Sequence, residues 1–189
     1  QLLNVALPYR NLGSLKTDGI EAQLHWGVPA PFMGATGKFT IDTSINYLAN
    51  YKVQLLPGAA FLDYTNISNG TAFDPSSVPP RATPRWKTLT TFGYRSDTVN
   101  VGLRWKYQGA MDDLSRITAP ANRAVGVPAY ATWDMFGSVK LFGNYELRAG
   151  VNNLFNRGLP FVASNQTGTD TALYDLIGRS FYVGIKAKF

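Results

Sequence analysis

Apolar and polar residues alternate with a period of two through much of this sequence. The clearest stretch covers residues 98–108: Val, Val, Leu, Trp and Tyr occupy the odd positions from 99, and Asn, Gly, Arg, Lys and Gln the even positions from 100. Such alternation is typical of a strand whose two faces meet different surroundings. Six further stretches alternate similarly: residues 19–28, 38–52, 85–95, 130–141, 145–152 and 179–189. We therefore predict an all-β fold with seven strands.

The connections between these strands alternate between short and long. Residues 95–97 and 142–144 have the composition of tight turns, and residues 28–37 form a turn rich in Pro and Gly. The long connections hold most of the prolines and cover residues 52–84, 109–128 and 156–175. A short-long order indicates consecutive antiparallel hairpins, so we expect all long connections at one end of the sheet.

One face of every predicted strand carries no charge, which leaves a membrane barrel and a soluble β-sandwich open. No stretch approaches the roughly 20 apolar residues of a membrane-spanning helix, so a helical membrane protein is excluded. The strands are long enough to cross a bilayer with tilt, for which about 9–11 residues suffice. Tyr and Trp also concentrate near strand ends on the uncharged face, where they favour a lipid headgroup boundary. These features favour an antiparallel transmembrane β-barrel.

An odd number of strands does not make a closed bacterial barrel, which has an even number. An open sheet would also leave unpaired backbone groups in lipid, and each group would cost on the order of several kcal/mol. We therefore expect residues 1–189 to be the end of a larger barrel whose first strands lie elsewhere.

Four stretches resemble the C-terminal barrel portion of TonB-dependent outer-membrane transporters. The first combines Asn-Leu-Gly at 11–13 with Asp-Gly-Ile-Glu at 18–21, and the second is Pro-Arg-Trp-Lys at 84–87. The third is Gly-Val-Asn-Asn-Leu-Phe-Asn at 150–156, and the fourth is Tyr-Asp-Leu-Ile-Gly-Arg-Ser-Phe-Tyr at 174–182. Each motif is weak alone, but their order and the terminal Phe189 make the resemblance strong across nearly the whole chain.

The resemblance implies a barrel of about 22 strands closed by an N-terminal plug domain. In proteins of this family the plug and the TonB-binding box lie in the N-terminal part of the chain, so we expect neither within residues 1–189. The implied function is import of a scarce ligand across the outer membrane of a Gram-negative bacterium, energised through the TonB complex. The ligand could be a siderophore, a vitamin, a saccharide or a peptide. A passive outer-membrane porin or channel is the alternative, followed by a soluble β-sandwich binding module.

Candidate ligand contacts lie in the long connections, and candidate lumen charges lie on the polar face of the strands. Loop aromatic and acidic residues are the first group, with packing within the loops as the alternative: Phe61, Tyr64, Phe73, Asp112 and Asp113. Charged residues facing the lumen are the second group, with plain salt bridging as the alternative to ligand attraction: Asp42, Arg104, Lys106, Asp134, Lys140, Glu146 and Arg148.

The last strand resembles the signal read by the β-barrel assembly machinery. Gly184, Ala187 and Phe189 fit its pattern of glycine, apolar residue and terminal aromatic, although alanine is a small choice for the apolar position. The alternative is an ordinary strand facing outer-membrane lipid. We expect the assembly machinery and the lipid as partners.

Catalysis, resident cofactors and nucleic-acid binding find little support in the composition. The chain has no Cys, which excludes thiolate metal sites. His25 is its only histidine, which nearly excludes His-based metal clusters and most His-dependent catalysis. Outer-membrane lipases and proteases remain a minor alternative. Two Arg-Trp-Lys triplets, at 85–87 and 104–106, could suggest nucleic acid, but strand alternation explains them better. We expect no enzyme activity and no cofactor.

Overall fold

The computed structural model describes residues 13–31, 36–68, 82–142, 144–163, 168–171 and 173–187. Seven long strands dominate it: β1 (Ser14–Pro29), β2 (Gly37–Gln54), β5 (Trp86–Ser96), β6 (Val99–Gln108), β8 (Tyr130–Leu141), β9 (Tyr145–Asn152) and β10 (Ser180–Ala187). The smaller elements lie between them: β3 (Leu62–Asp63), β4 (Ile67–Ser68), β7 (Asp112–Asp113), helix α1 (Ser115–Thr118) and a 3₁₀ turn (Pro120–Asn122). Within these ranges no helix has the length and apolar character needed to span a bilayer.

The seven long strands form one antiparallel sheet in the order β1-β2-β5-β6-β8-β9-β10, and β3 pairs with the far end of β2. This confirms the all-β, antiparallel barrel architecture, with the barrel left open between β1 and β10. Short connections join β1 to β2, β5 to β6 and β8 to β9. The three long connections therefore leave from the opposite edge, which we call the loop end.

The sheet is a single layer, and almost nothing in it is fully covered. The apolar side chains that alternate along β1, β6 and β10 remain exposed: Val183 is 75% exposed and Ile20 is 66% exposed. Within the described residues, no second sheet packs against either face of this one; the other small sheet is the pair β4–β7. A β-sandwich buries one face of each sheet against the other, and the described residues show no such packing.

A β-bulge interrupts the predicted alternation of β2. Asp18 pairs with Asn50 and Gly19 with Leu48, so Ala49 is an extra residue without a partner on β1. Strict alternation over residues 38–52 predicts one unbroken polar face made of the even positions, Asn50 among them. This prediction is wrong beyond the bulge, because an extra residue shifts every later side chain to the other face. Asn50 thus shares a face with Asp18, to which its side-chain amide donates a hydrogen bond of 3.1 Å.

The hydrophobic core of the molecule lies at the loop end instead of under the sheet. Side chains from different long connections form it: Met111, Val127, Val162 and Tyr174, each at most 4% exposed. Strands β4 and β7 pair in parallel next to these residues and join the first long connection to the second. The long connections therefore pack on one another and form a folded layer.

Candidate functional site

The register of the sheet places the predicted lumen charges on one face. His25, Asp42, Thr91, Arg104 and Asp134 are successive partners across β1, β2, β5, β6 and β8. Partners in an antiparallel ladder lie on the same face, and residues two apart along a strand share that face. The remaining charges follow this parity and lie on the same side, which we call the polar face: Lys106, Lys140, Glu146 and Arg148.

Several of these charges are paired within the sheet. The Lys106 ammonium lies 2.6 Å from the carboxylate of Asp134, whose residue is only 5% exposed. Arg148 binds Glu146 through two hydrogen bonds of 2.9 and 3.1 Å. His25 contacts Asp42 across β1 and β2. The polar face is therefore a surface of mixed, partly neutralised charge.

Two aromatic rings lie close to glycines of the polar face. A Cβ atom on Gly102 would approach the Phe136 ring to 2.5 Å, and one on Gly150 would approach the Tyr182 ring to 2.4 Å. A side chain at either position would force the neighbouring ring to shift. The Arg104 guanidinium lies over Phe136, 5.4 Å from its ring centre.

The opposite, apolar face carries aromatic contacts near the loop end. Trp133 lies 6.2 Å from Trp105 and 6.3 Å from Phe92, measured between ring centres. Tyr47 and Trp86 are 4.5 Å apart, and they too lie on strands that end in long connections. These rings lie on the uncharged face, and their place at a lipid headgroup boundary stays a prediction.

The family-like stretch at 150–156 forms the turn that ends β9. Asn153 has a left-handed backbone (φ 50°), and its side chain accepts from the Arg157 amide at 2.8 Å and donates to the Arg157 carbonyl at 3.0 Å. The backbone amide of Asn153 donates to the Asp134 carboxylate at 3.0 Å. The motif therefore has a structural role, because a short polar side chain tolerates this backbone and replaces lost ladder bonds.

The stretch at 174–182 forms the turn that leads into β10. The Asp175 carboxylate accepts from the Ile177 amide at 3.0 Å, and Gly178 supplies the positive φ of 73°. The Arg179 amide donates to the Asn156 side chain at 3.4 Å. The third and fourth motifs therefore contact each other, which sequence spacing alone does not reveal.

The structure describes four of the five loop candidates. Tyr64 is 4% exposed, so its ring packs within the loop layer, and a ligand contact at this residue stays a prediction. Phe61 is half-buried and has the Lys16 ammonium 4.3 Å from its ring centre. Asp113 is 2% exposed and accepts from the Ser115 amide at 2.9 Å. Phe73 lies outside the described residues.

Asp112 belongs to a clamp centred on Arg116. The Arg116 guanidinium donates to the Asp112 carboxylate at 2.9 Å and to the backbone carbonyls of Asp63 and Thr65 at 2.9 and 3.1 Å. Arg123 adds a longer bond of 3.4 Å to Asp112. One arginine thus ties the first long connection to the second, and composition gave no signal for it.

Asp63 carries a perturbed carboxyl within this clamp. Burial acts to raise its pKa, but hydrogen bonds from the Thr65 hydroxyl and amide, with attraction to Arg116 and Lys52, lower the pKa below its ordinary value. The carboxylate is thereby held charged, which stabilises the contact between the long connections.

At the loop end the polar face holds a pocket of about 260 Å³ between β6, β8, β9 and the turn before β10, which we call the wall pocket. Its wall includes Lys106, Gln108, Tyr130, Asp134, Tyr174 and Asp175. Lys106 and Asp134 are predicted site residues that the structure brings together. Gln108 and Tyr174 were not predicted as site residues, although one lay on the predicted polar face and the other in a family-like motif.

The assembly-signal residues fall partly on β10. Gly184 pairs with Arg148 and Ala187 with Tyr145 of β9, so both belong to the edge strand of the open sheet. Phe189 lies outside the described residues. Groups of three or more His, Cys, Asp or Glu side chains that could hold a metal ion are absent from the described part of the chain.

A single-layer antiparallel sheet with one polar face, one apolar face and all long connections at one end defines part of a membrane β-barrel wall. A sequence model of the family described as TonB dependent receptor-like, beta-barrel, matches residues 2–154. The chain belongs to this family, which is one of receptors and transporters and not of enzymes. No curated protein matches the chain.

Among solved structures, the chain is similar to a mutant of the ferric enterobactin receptor of Pseudomonas aeruginosa. The superposition has a TM-score of 0.46 and 18% sequence identity, and it covers 89% of this chain and 31% of the receptor chain. The chain thus spans about a third of that receptor's length.

Proposed function

We propose that this chain is the C-terminal part of the barrel of an outer-membrane transporter that imports a scarce ligand with energy delivered through TonB. The family match over residues 2–154 is the observation that carries the proposal. The plug and the TonB-binding box would belong to a part of the protein outside residues 1–189. Localisation in the Gram-negative outer membrane follows from the same proposal.

The two faces of the sheet suit this placement. The apolar face, with exposed Val101 and Leu103 at its centre and aromatic rings toward the loop end, would contact lipid hydrocarbon and headgroups. The polar face, with its paired charges, would line the lumen and contact the plug. Burying an unpaired charge is costly, so ion pairs such as Lys106–Asp134 suit a wall that alternately meets water and protein.

The loop end would face the cell exterior and meet the ligand first. Its packed layer, held by the Arg116 clamp and the core around Met111, supports a preformed entrance. Siderophores, vitamins, saccharides and peptides remain the candidate ligand classes at this level of the proposal.

Delivery to the membrane would depend on the β-barrel assembly machinery. Gly184 and Ala187 occupy the edge strand β10, where an assembly factor could pair before the barrel closes on its first strand. Phe189 completes the sequence pattern.

Uptake measurements in living cells test the proposal. Radiolabelled siderophores, vitamin B12, oligosaccharides and peptides would be screened in the source bacterium with and without the intact gene. For the compound whose uptake requires the gene, we expect deletion of TonB or collapse of the proton gradient to stop uptake, while binding to the cell surface persists.

The same measurement distinguishes a TonB-dependent transporter from the alternative of a passive channel. A porin conducts down a gradient and needs no inner-membrane energy. Uptake that continues at an unchanged rate without TonB would contradict the proposed function and favour the channel.

A further inference from the structure

Two polar atoms in the wall pocket are buried without hydrogen-bond partners. They are the side-chain amide nitrogen of Gln108 and the hydroxyl oxygen of Tyr174, and they are the two such atoms found among the described residues. Both residues belong to the wall of the same pocket. Leaving a buried donor unpaired costs about 1–3 kcal/mol. Two such costs at one place point to an occupant that supplies the missing partners.

The charges around the pocket restrict the kind of occupant. Lys106 is neutralised by Asp134 at 2.6 Å, which leaves the carboxylate of Asp175 as the remaining charge in the wall. Tyr174 stays protonated, because burial first, and then Asp170 and Tyr130, raise the pKa of its phenol. An anionic group would be repelled by Asp175. A cationic ammonium or guanidinium group carries only donors, so it could not accept from the unpaired Gln108 nitrogen. The wall therefore suits an uncharged group that both accepts and donates hydrogen bonds.

Size and shape narrow the choice further. The volume of about 260 Å³ is slightly below the roughly 300–1,000 Å³ of pockets that hold whole small molecules. The rings of Tyr130 and Tyr174 meet edge to face, 5.1 Å apart, and give the pocket an apolar side. One ring of a larger ligand, with hydroxyl groups at its edge and C–H groups on its faces, fits both properties.

We propose that the wall pocket binds one sugar ring of a neutral saccharide, with Gln108 and Tyr174 as its hydrogen-bonding residues. This inference rests on the proposed function, for which it names the substrate class. The pocket opens on the polar face at the loop end, where a ligand captured from outside would first meet the barrel wall. The amide of Gln108 donates to a sugar oxygen, and the Tyr174 hydroxyl donates to or accepts from another.

Binding to the purified full-length receptor in detergent tests this inference. The probes are sucrose, maltose and maltotriose as neutral saccharides, galacturonate as the anion and glucosamine as the cation, with affinities measured by titration calorimetry. We expect at least one neutral saccharide to bind, and to bind more tightly than either charged sugar. Tyr174→Phe and Gln108→Met should each weaken that binding roughly five-fold, as expected for one lost hydrogen bond.

Matched substitutions on the same face serve as controls. Tyr182→Phe and Gln23→Met remove the same groups outside the pocket and should leave the affinity within about two-fold. Heat-modifiable migration on gels would show that every variant forms a barrel. The inference is overturned if no neutral saccharide binds, if a charged sugar binds more tightly, or if Tyr174→Phe and Gln108→Met bind like wild type. The assay needs no TonB, so failure of energy coupling would leave its result unaffected.

Discussion

Replacing Ile41 by arginine should destabilise the barrel far more than replacing its neighbour Thr40. Ile41 lies on the apolar face in a row with Phe92 and Leu103, and Leu103 stands near the middle of β6. At about 3.3 Å per residue and a tilt of about 45°, this row lies roughly 10 Å from either end of the strand. An arginine on the lipid face at that depth costs about 2–4 kcal/mol.

Thr40 provides the matched control because it is one residue away and on the polar face. Its partners on the flanking strands are Gly27 and Gly93, and it lines an open cavity of about 620 Å³ on the polar face, which has room for a longer side chain. An arginine there can stay in the lumen, so we expect a cost below about 1 kcal/mol. The predicted difference of about 1–4 kcal/mol corresponds to a change of roughly 5- to 1,000-fold in the folding equilibrium.

Urea titration of the full-length protein folding into lipid vesicles measures this difference. Tryptophan fluorescence reports insertion, and heat-modifiable migration reports the folded fraction. Equal destabilisation by Ile41→Arg and Thr40→Arg would refute the assignment of the apolar face to lipid.

Two further outcomes follow from named contacts, and a third follows from the sequence pattern of the last strand. Asn153→Ala should lower the free energy of unfolding by about 2–4 kcal/mol, because it loses two hydrogen bonds to Arg157 and strains a left-handed backbone. Asn153→Gly tolerates that backbone and should cost less. Urea denaturation midpoints compare the two variants. The folded-state pKa of Asp63 is lowered, so its stabilising effect is present above the ordinary carboxyl pKa and is lost as the pH falls through the folded value. Pepsin should therefore cut the long connections faster with falling pH in wild type, with a weaker pH dependence in Asp63→Asn. Deleting Phe189 should reduce the amount of assembled barrel in the outer membrane, and wild-type amounts by quantitative blotting would contradict its role in assembly.

Strand positions could be predicted well from the sequence because the two faces meet different solvents. The bounds predicted at 130–141 and 145–152 match β8 and β9 at both ends. β1 begins at Ser14, five residues before the predicted start. Residues 14–18 are Ser-Leu-Lys-Thr-Asp, and a single apolar residue among them gives too weak an alternation signal. That part lies beyond the bulge at Ala49 and pairs with the outer part of β2.

The loop end could not be predicted because its contacts join residues far apart in sequence. Ile67 pairs with Asp112 across 45 positions, and Arg116 reaches Asp63 and Thr65 in the preceding long connection. Nothing in the local pattern of Tyr64 distinguishes a buried ring from an exposed one. The wall pocket has the same origin, since its residues come from three strands and a turn and meet only when the sheet forms.

The central claim is that this sheet is part of an outer-membrane barrel wall whose long connections face the cell exterior. Cysteine labelling on intact cells tests it most directly. The chain has no native cysteine, so Ala121→Cys in the second long connection and Thr98→Cys in a short turn each add a single, exposed site to it. A membrane-impermeant maleimide should label full-length receptor carrying Ala121→Cys on intact cells, and the Thr98→Cys receptor only after the outer membrane is permeabilised. Labelling of Thr98→Cys on intact cells, with Ala121→Cys protected until permeabilisation, would contradict the account.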